Sequence, residues 1–370
     1  MKRDLEAIRG KFPILQEKVQ LSSCSQSAMH VDVKKAIDGY MDTWQYDGMD
    51  WGYWMEVCEK ARSKFARLIN ADSSEIAIVS SVSHAISAVL TSLPTTSKKN
   101  EFLLAETEFP CIGHAALSQS GCDVVYTPPE LASYAKKISE KTILTSTPHV
   151  SFYNGKIQKL REITKLAHDN DSYMFVDAYQ SAGQVDIDVK ALDIDFLAAG
   201  MQKYMLGIPG IAFLYVKKEI ADTLTPRVTG WFGQANPFAF DSQNVEYAEG
   251  TRRFDTGTFP MINGFAQDAA LDVILDIGVP EIQSYLRELS QFTIEYCQSK
   301  NLEIASPLDV GEKGSNTAIR VPDASALEAE LKKRGILLSA RNDVIRLAPH
   351  FYNTKDDIRK AVDTMVEVLV

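Results

Sequence analysis

Hydrophobic positions along the chain follow two spacings, one typical of helices and one typical of strands. Apolar residues recur every three or four positions in residues 30–44 and 54–69, which predicts amphipathic helices. Short apolar runs bounded by polar or turn-forming residues predict strands. Such runs occur at residues 75–79, 101–106, 123–127, 141–147, 173–178, 195–200 and 211–216.

Helical spacing returns between several of these runs, for example in residues 80–93 and 156–170. Strands that alternate with helices are typical of an α/β domain, because each helix carries the chain back to the start of the next parallel strand. We therefore predict an α/β fold with a mainly parallel sheet.

The pattern changes in the last third of the chain. Residues 229–264 are rich in glycine, proline and aromatic residues and have little periodicity, which predicts a long ordered loop with a functional role. Residues 265–370 alternate long helices with strand-like runs at 316–321 and 343–348. This part predicts a smaller α+β domain.

Composition and charge narrow the class of protein. Of 370 residues, 45% are hydrophobic and 24% are charged, as in globular proteins that are soluble in water. The net charge of −10 argues against a nucleic-acid-coating protein. No apolar run reaches the roughly 20 residues of a membrane span, and the N-terminus lacks the apolar core of a signal peptide. Five scattered cysteines favour neither disulfides nor a zinc site, which indicates the cytoplasm.

Two charged residues follow strand-like runs at positions where ligands of α/β sheets bind. Asp177 closes the run at 173–178, and Lys203 stands in a loop of small residues after the run at 195–200. An isolated aspartate there most often caps a turn, and an isolated lysine most often lies at the surface. Together they fit pyridoxal phosphate (PLP), because Lys203 can form a Schiff base and Asp177 can keep the pyridine nitrogen protonated.

PLP also needs a site for its phosphate and a surface for its ring. Residues 75–90 predict a strand, a polar turn and a helix, so Ser83 and the backbone N–H groups of Ser83 and His84 would lie at a helix N-terminus, where anions bind. Phe109 follows another strand-like run, where its ring can stack on a pyridine. A helix cap and a core phenylalanine are the ordinary alternatives, but the order of the four features favours PLP.

These residues resemble the class V aminotransferase family of fold-type I PLP enzymes, which includes cysteine desulfurases, kynureninases and isopenicillin N epimerase-like proteins. The resemblance covers nearly the whole chain and is most specific in residues 177–219 and 345–358. It implies a large PLP-binding domain, residues 17–253, with a mainly parallel seven-stranded sheet flanked by helices. It also implies a small C-terminal α+β domain, residues 254–370, against which residues 1–16 pack.

The resemblance also implies roles for individual residues around the cofactor. Lys203 and Asp177 match the Schiff-base lysine and the partner of the ring nitrogen. The other implied contacts are Ser83 and His84 in the phosphate turn, Phe109 on the ring, Gln180 on the ring hydroxyl and Gln202 on the phosphate. Gly200 departs from the family, because desulfurases carry a phosphate-binding serine there.

Further residues are implied to bind substrate or to act between subunits. Arg346 matches the arginine that binds the substrate α-carboxylate, as a planar guanidinium can do with two hydrogen bonds. A structural salt bridge is the alternative for this residue. Thr258 matches a Gly-Thr segment that reaches the phosphate of the neighbouring subunit, which implies a homodimer with shared active sites. Trp231 is placed in the substrate pocket by a Gly-Trp loop similar to that of kynureninases.

The sequence leaves the reaction open. Residues 334–349 lack the cysteine that desulfurases carry before the arginine, and Cys297 falls inside a predicted helix. The residue before Lys203 is not the tyrosine of kynureninases. We predict aminotransferase-type chemistry on an α-amino acid, with a carbon–sulfur or carbon–carbon lyase or an epimerase as alternatives. A non-catalytic binding protein is disfavoured by the joint presence of Lys203, Asp177 and Arg346, and a nicotinamide enzyme by the absence of GxGxxG after the first strand.

Overall fold

A computed structural model describes residues 4–369, which form helices, short helical turns and three β-sheets. The strands are β1 (Val19–Gln20), β2 (Ile76–Val79), β3 (Glu101–Ala105), β4 (Asp123–Thr127), β5 (Thr142–Pro148), β6 (Tyr173–Asp177), β7 (Phe196–Gly200), β8 (Ala212–Val216), β9 (Thr317–Arg320), β10 (Ile336–Leu337), β11 (Ser339–Arg341) and β12 (Val344–Leu347). The helices are α1 (Leu5–Arg9), α2 (Val31–Asp42), α3 (Trp51–Leu68), α4 (Val82–Ser92), α5 (Pro110–Leu117), α6 (Leu131–Lys137), α7 (Leu160–His168), α8 (Lys218–Ala221), α9 (Met261–Ile277), α10 (Val279–Ser299), α11 (Ala324–Lys333) and α12 (Lys355–Leu369).

The largest sheet has the strand order β2-β8-β7-β6-β5-β3-β4. Neighbouring strands are parallel from β4 through to β7, whereas β8 is antiparallel to both β7 and β2. Each of the seven apolar runs before residue 220 forms one strand of this sheet. The prediction of an α/β fold with a mainly parallel, seven-stranded sheet is therefore confirmed.

Both faces of this sheet are covered, which explains why its strands are nearly continuous apolar runs. Met174 and Val176 of β6 pack on one face in a cluster that includes residues of α3 and α9. Phe175, between them, packs on the opposite face in a cluster that includes residues of α4 and α5. This alternation follows from the two-residue period of a strand. It leaves the strand ends as the places where polar side chains can gather.

The C-terminal part contains a three-stranded antiparallel sheet in the order β11-β12-β9. The N-terminal segment joins this part, because β1 pairs in parallel with β10 and Arg9 forms an ion pair with Asp357. A smaller α+β unit at the C-terminus is thus present, as predicted. The boundary between residues 253 and 254 stays a prediction.

The predicted loop at 229–264 is shorter than expected. It holds three short 3-10 turns, Trp231–Gly233, Pro237–Ala239 and Gly250–Phe254, and it ends at Pro260, where α9 begins. Four residues assigned to the loop are therefore helical, because the apolar spacing of α9 already starts at Met261. Within residues 4–369, no helix combines the length and the apolar character that crossing a membrane requires.

Candidate active site

A cavity of about 250 Å³ lies where the carboxyl ends of the parallel strands meet. Its walls come from the residues that follow β2, β3, β5, β6 and β7, as expected for a ligand site of an open α/β sheet. Of the residues assigned from the sequence, six line it: Ser83, Phe109, Asp177, Gln180, Gln202 and Lys203. The other lining residues are Ser81, Val82, Cys111, Pro148, Val150, Phe152 and Tyr179.

Lys203 presents its amine to this cavity from the loop between β7 and β8. Its Nζ lies 4.1 Å from the centroid of the Tyr179 ring and 5.8 Å from that of the Phe109 ring. Burial lowers the pKa of Lys203 to about 8, although the Asp177 carboxylate raises it. The lowered pKa increases the fraction of neutral amine near neutral pH, and the neutral amine is the form that attacks a carbonyl carbon.

Asp177 closes β6 and is buried at the cavity wall. Its Oδ1 accepts a hydrogen bond of 2.8 Å from the backbone N–H of Tyr179. Its Oδ2 has no hydrogen-bond donor in the described part of the chain. Burial raises the pKa of Asp177, while the Tyr179 N–H and the Lys203 charge lower it. A cationic N–H group in the cavity would therefore find a free, buried acceptor at Asp177.

Glu108 is a buried residue whose carboxyl interacts electrostatically with that of Asp177, and the sequence analysis missed it. It is buried, and Ser146 Oγ donates to its Oε1 over 2.5 Å. Burial raises the pKa of Glu108 well above its usual range, and the Asp177 charge raises it further. Burial and the nearby Asp177 charge therefore both favour the protonated form of Glu108. The only sequence signal for it was its position directly before Phe109.

The predicted phosphate turn forms the start of α4. Ser81 is the helix cap, because its side-chain oxygen accepts from the backbone N–H of His84 over 3.1 Å. Ser83 has no capping role, and its exposed hydroxyl is left to face the cavity. His84 does not line the cavity, its backbone N–H is used by the cap, and burial lowers the pKa of its ring. Ser83 is thus the better placed of the two for a phosphate.

Tyr179 is a second cavity residue that the sequence analysis missed. Its hydroxyl donates to Gln202 Oε1 over 2.8 Å, and its ring lies directly on Gly200. A Cβ at position 200 would collide with the ring carbon Cζ of Tyr179. The departure from the family at Gly200 therefore has a steric cause, because the tyrosine occupies the space that a serine side chain would need. Gln180 donates from its Nε2 to the carbonyl oxygen of Cys24 over 2.9 Å.

Arg346 approaches the cavity from the small sheet and is only 1% exposed. Its Nη1 donates to the carbonyl oxygen of Phe152 over 2.7 Å, and its Nη2 donates to Ser339 Oγ over 2.8 Å. Its Nε donates to the Ser339 carbonyl, and Nη2 also lies 3.3 Å from Ser25 Oγ. Each of these partners is neutral, so among residues 4–369 the alternative of a structural salt bridge finds no acidic partner.

Trp231 and Thr258 lie outside the Lys203 cavity of their own chain. Trp231 belongs to an aromatic cluster in which its ring contacts those of Trp51, Phe238 and Phe240. Thr258 is exposed at the surface. Their assigned contacts with substrate and phosphate stay predictions, and both would require a second subunit.

Cysteines are also present around the cavity, although not where desulfurases carry theirs. Cys111 lines the wall, where burial raises the pKa of its thiol to about 11, and Cys24 is buried near Lys203. Cys297 is buried in α10, as the helical spacing predicted, and burial raises its pKa to about 12. The segment before Arg346 is a tight β-hairpin without a cysteine. All five cysteines are free thiols.

The fold is that of fold-type I PLP enzymes. The chain belongs to the family described as Aminotransferase class-V, which matches residues 52–360. It is 41% identical, over 363 residues, to the uncharacterized aminotransferase YcbU of Bacillus subtilis, which covers 97% of this chain and 96% of that protein.

Two solved structures illustrate the likeness in fold. The apo cysteine desulfurase of Thermococcus onnurineus matches with a TM-score of 0.88 and 22% identity over 100% of this chain and 99% of that one. C-DES, solved with glycine covalently linked to its PLP cofactor, matches with a TM-score of 0.89 and 20% identity over 97% of this chain and 99% of that one.

Proposed function

We propose that the protein is a PLP-dependent enzyme that acts on an α-amino acid with aminotransferase-type chemistry. One observation carries the proposal. A lysine with a pKa of about 8 and a buried aspartate with a free oxygen share a cavity at the carboxyl edge of the sheet. Family membership supports it independently.

The cavity residues fit PLP in chemistry and position. Lys203 supplies the amine for the cofactor aldehyde, and the free Oδ2 of Asp177 supplies an acceptor for the protonated ring nitrogen. The half-exposed ring of Phe109 offers a stacking surface, and the Ser83 hydroxyl offers a phosphate contact. PLP, when bound, supplies an electron sink for charge that develops on the carbon next to the amino group.

The remaining steps fall to side chains of this chain. Arg346 binds the substrate α-carboxylate, because its guanidinium is buried beside the cavity and has only neutral partners. The Lys203 amine is then the nearest base for the proton on the substrate Cα, and its lowered pKa suits that task. A lyase or an epimerase would use the same residues up to this point.

A homodimer is part of the proposal. Apolar side chains are strongly exposed on the turn after α2 and on the segment that follows Trp231, where Tyr46 is 75% and Phe240 is 76% exposed. Exposed aromatic patches of this kind are typical of interfaces. A second copy on this surface would cover it, and Thr258 and Trp231 are the residues that would then serve the neighbouring cavity. The five free thiols support a cytoplasmic location.

A panel of amino acids tests the proposal. Purified protein is loaded with PLP, its visible absorption is recorded, and each amino acid is added with and without a 2-oxo acid acceptor. We expect a cofactor band, and products identified by mass as an oxo acid and a new amino acid. Pyruvate with ammonia or sulfide would instead identify a lyase. Failure to retain PLP after gel filtration would overturn the proposal.

A further inference from the structure

The hairpin formed by β11 and β12 carries a second arginine beside Arg346. Ser339 pairs with Arg346, and Arg341 pairs with Val344. Since alternate residues of a strand share a face, Arg341 lies on the same face as Ser339 and Arg346. Diagonal neighbours of this kind are about 7–8 Å apart. One face of a single hairpin therefore presents two guanidinium groups.

Phe152 connects both arginines to the cavity. Its ring lines the cavity, and its carbonyl oxygen accepts from Arg346. The Cζ of Arg341 lies 5.8 Å from the centroid of the same ring. Both guanidinium charges also lower the pKa of Lys203, which places them within electrostatic reach of its amine. Neither arginine lines the cavity directly, but both contact Phe152, and together they form a cationic wall behind this residue.

No carboxylate of residues 4–369 forms an ion pair with either arginine of this wall. The Nε of Arg341 is buried without a hydrogen bond. Glu328 acts on Arg341 only at a distance, and its Oε2 accepts from the backbone N–H of Ala340. Asp343, in the hairpin turn, is bound instead by Arg320 and Tyr153.

Two partly desolvated cations without an anion are unfavourable unless a ligand pairs with them. The α-carboxylate assigned to Arg346 supplies one negative charge. Arg341 is then left without an anionic partner, because the nearby Asp177 carboxylate is already opposed by the Lys203 amine. The wall is therefore suited to a ligand with two anionic groups.

We propose that Arg341 binds a carboxylate at the end of the substrate side chain, so that the enzyme takes dicarboxylic amino acids and the corresponding 2-oxo acids. This inference rests on the proposed function and names its substrate class. Arg341 sets specificity, because it touches the part of the substrate that does not react. The uncharged amides of the same substrates are the natural competitors that it rejects.

The first test compares Arg341→Gln with Arg334→Gln, an exposed arginine at the end of α11 whose partners are Glu330 and Glu367. Each variant is assayed with aspartate, glutamate, asparagine, glutamine and alanine. We expect Arg341→Gln to lower kcat/KM for the preferred dicarboxylic amino acid by about 10- to 100-fold, the effect of one charge-assisted hydrogen bond. The kcat/KM values of Arg341→Gln for the amide of that amino acid and for alanine should change little. Arg334→Gln should behave as wild type with every substrate.

A second test does not need turnover. The melting temperature of the protein is measured with maleate and with propionate at equal ionic strength. Wild type and Arg334→Gln should be stabilised more by the dicarboxylate. Arg341→Gln should lose that difference. Stabilisation by maleate in a protein that fails to bind PLP would overturn the proposed function and leave only a dicarboxylate-binding site at Arg341.

Other outcomes would overturn the proposed role of Arg341 and leave the proposed PLP enzyme intact. Turnover of amino acids with equal losses for acids and amides in Arg341→Gln would overturn the role of Arg341 and leave the PLP enzyme intact. A wild-type preference for amides or alanine would do the same. Equal stabilisation by maleate and propionate in wild type also counts against it.

Discussion

Two groups of residues at the Lys203 cavity differ in how their charges are balanced: the sheet wall of Asp177 and Lys203 with the nearby Glu108, and the hairpin wall of Arg341 and Arg346 behind Phe152. At the sheet wall, the Asp177 carboxylate opposes the charge of the Lys203 amine, and burial raises the pKa of Glu108 well above its usual range. At the hairpin wall, Arg341 and Arg346 have neutral partners only. The sheet wall thus balances its own charges, whereas the hairpin wall needs an anion from outside. This difference separates the part that holds a cofactor from the part that selects a substrate.

Replacement of Lys203 by alanine tests the sheet wall and should have the largest effect. We expect Lys203→Ala to lose covalent attachment of PLP and all detectable turnover, because no other amine lines the cavity within residues 4–369. Borohydride reduction of the wild-type enzyme followed by peptide mapping should locate the cofactor on Lys203.

Lys313 provides an internal control for this assignment. It is also buried, and burial lowers its pKa to about 7, but its amine donates to the Gly314 carbonyl and Thr317 Oγ1 and does not line the cavity. If a low pKa alone determined reactivity, the label would appear on Lys313. Label there would refute the assignment of Lys203.

Asp177→Ala tests whether the carboxylate of Asp177 contributes to catalysis as well as to the binding of PLP. Without the carboxylate, the ring nitrogen has no anionic partner in the described cavity, so its protonated form is lost. We expect kcat to fall at least about 10²–10³-fold, the range for one preorganised electrostatic contact, while part of the PLP stays bound. Steady-state kinetics on PLP-saturated protein measures this effect. Near-normal kcat would show that Asp177 is only a structural residue.

Arg346→Ala tests the hairpin wall. We expect kcat/KM to fall because the free energy of activation rises by roughly 2–5 kcal/mol, the range for truncating one member of a buried charge pair. Arg346→Lys should recover part of it, because a point charge cannot reproduce the planar fork. The absorption spectrum without substrate should stay normal in both variants. An unchanged kcat/KM in Arg346→Ala would contradict the assignment.

The sheet wall could be predicted from the sequence, and the hairpin wall only in part. Asp177 and Lys203 follow long apolar runs, and parallel strands bring such ends to one edge. Arg341 depends on the register of two very short strands and on Phe152, which is distant in sequence. The sequence analysis did not identify the Asn342–Asp343 turn of that hairpin, in which Asn342 adopts the left-handed conformation that asparagine tolerates. Tyr179 was missed because its orientation depends on the space above Gly200.

The pH dependence of PLP attachment should show the smallest of the predicted effects, and its direction should differ between variants of the two walls. The rate at which the apo protein attaches PLP should rise with pH to a midpoint near 8, not near the ordinary lysine value of 10.5, because only the neutral amine reacts. The carboxylate of Asp177 raises the pKa of Lys203, so Asp177→Asn should move the midpoint to lower pH. Arg341 lowers it, so Arg341→Gln should move the midpoint to higher pH. Stopped-flow absorbance across the pH range measures all three, and shifts of the same sign in both variants would mean that the two walls do not act on Lys203 as opposite charges.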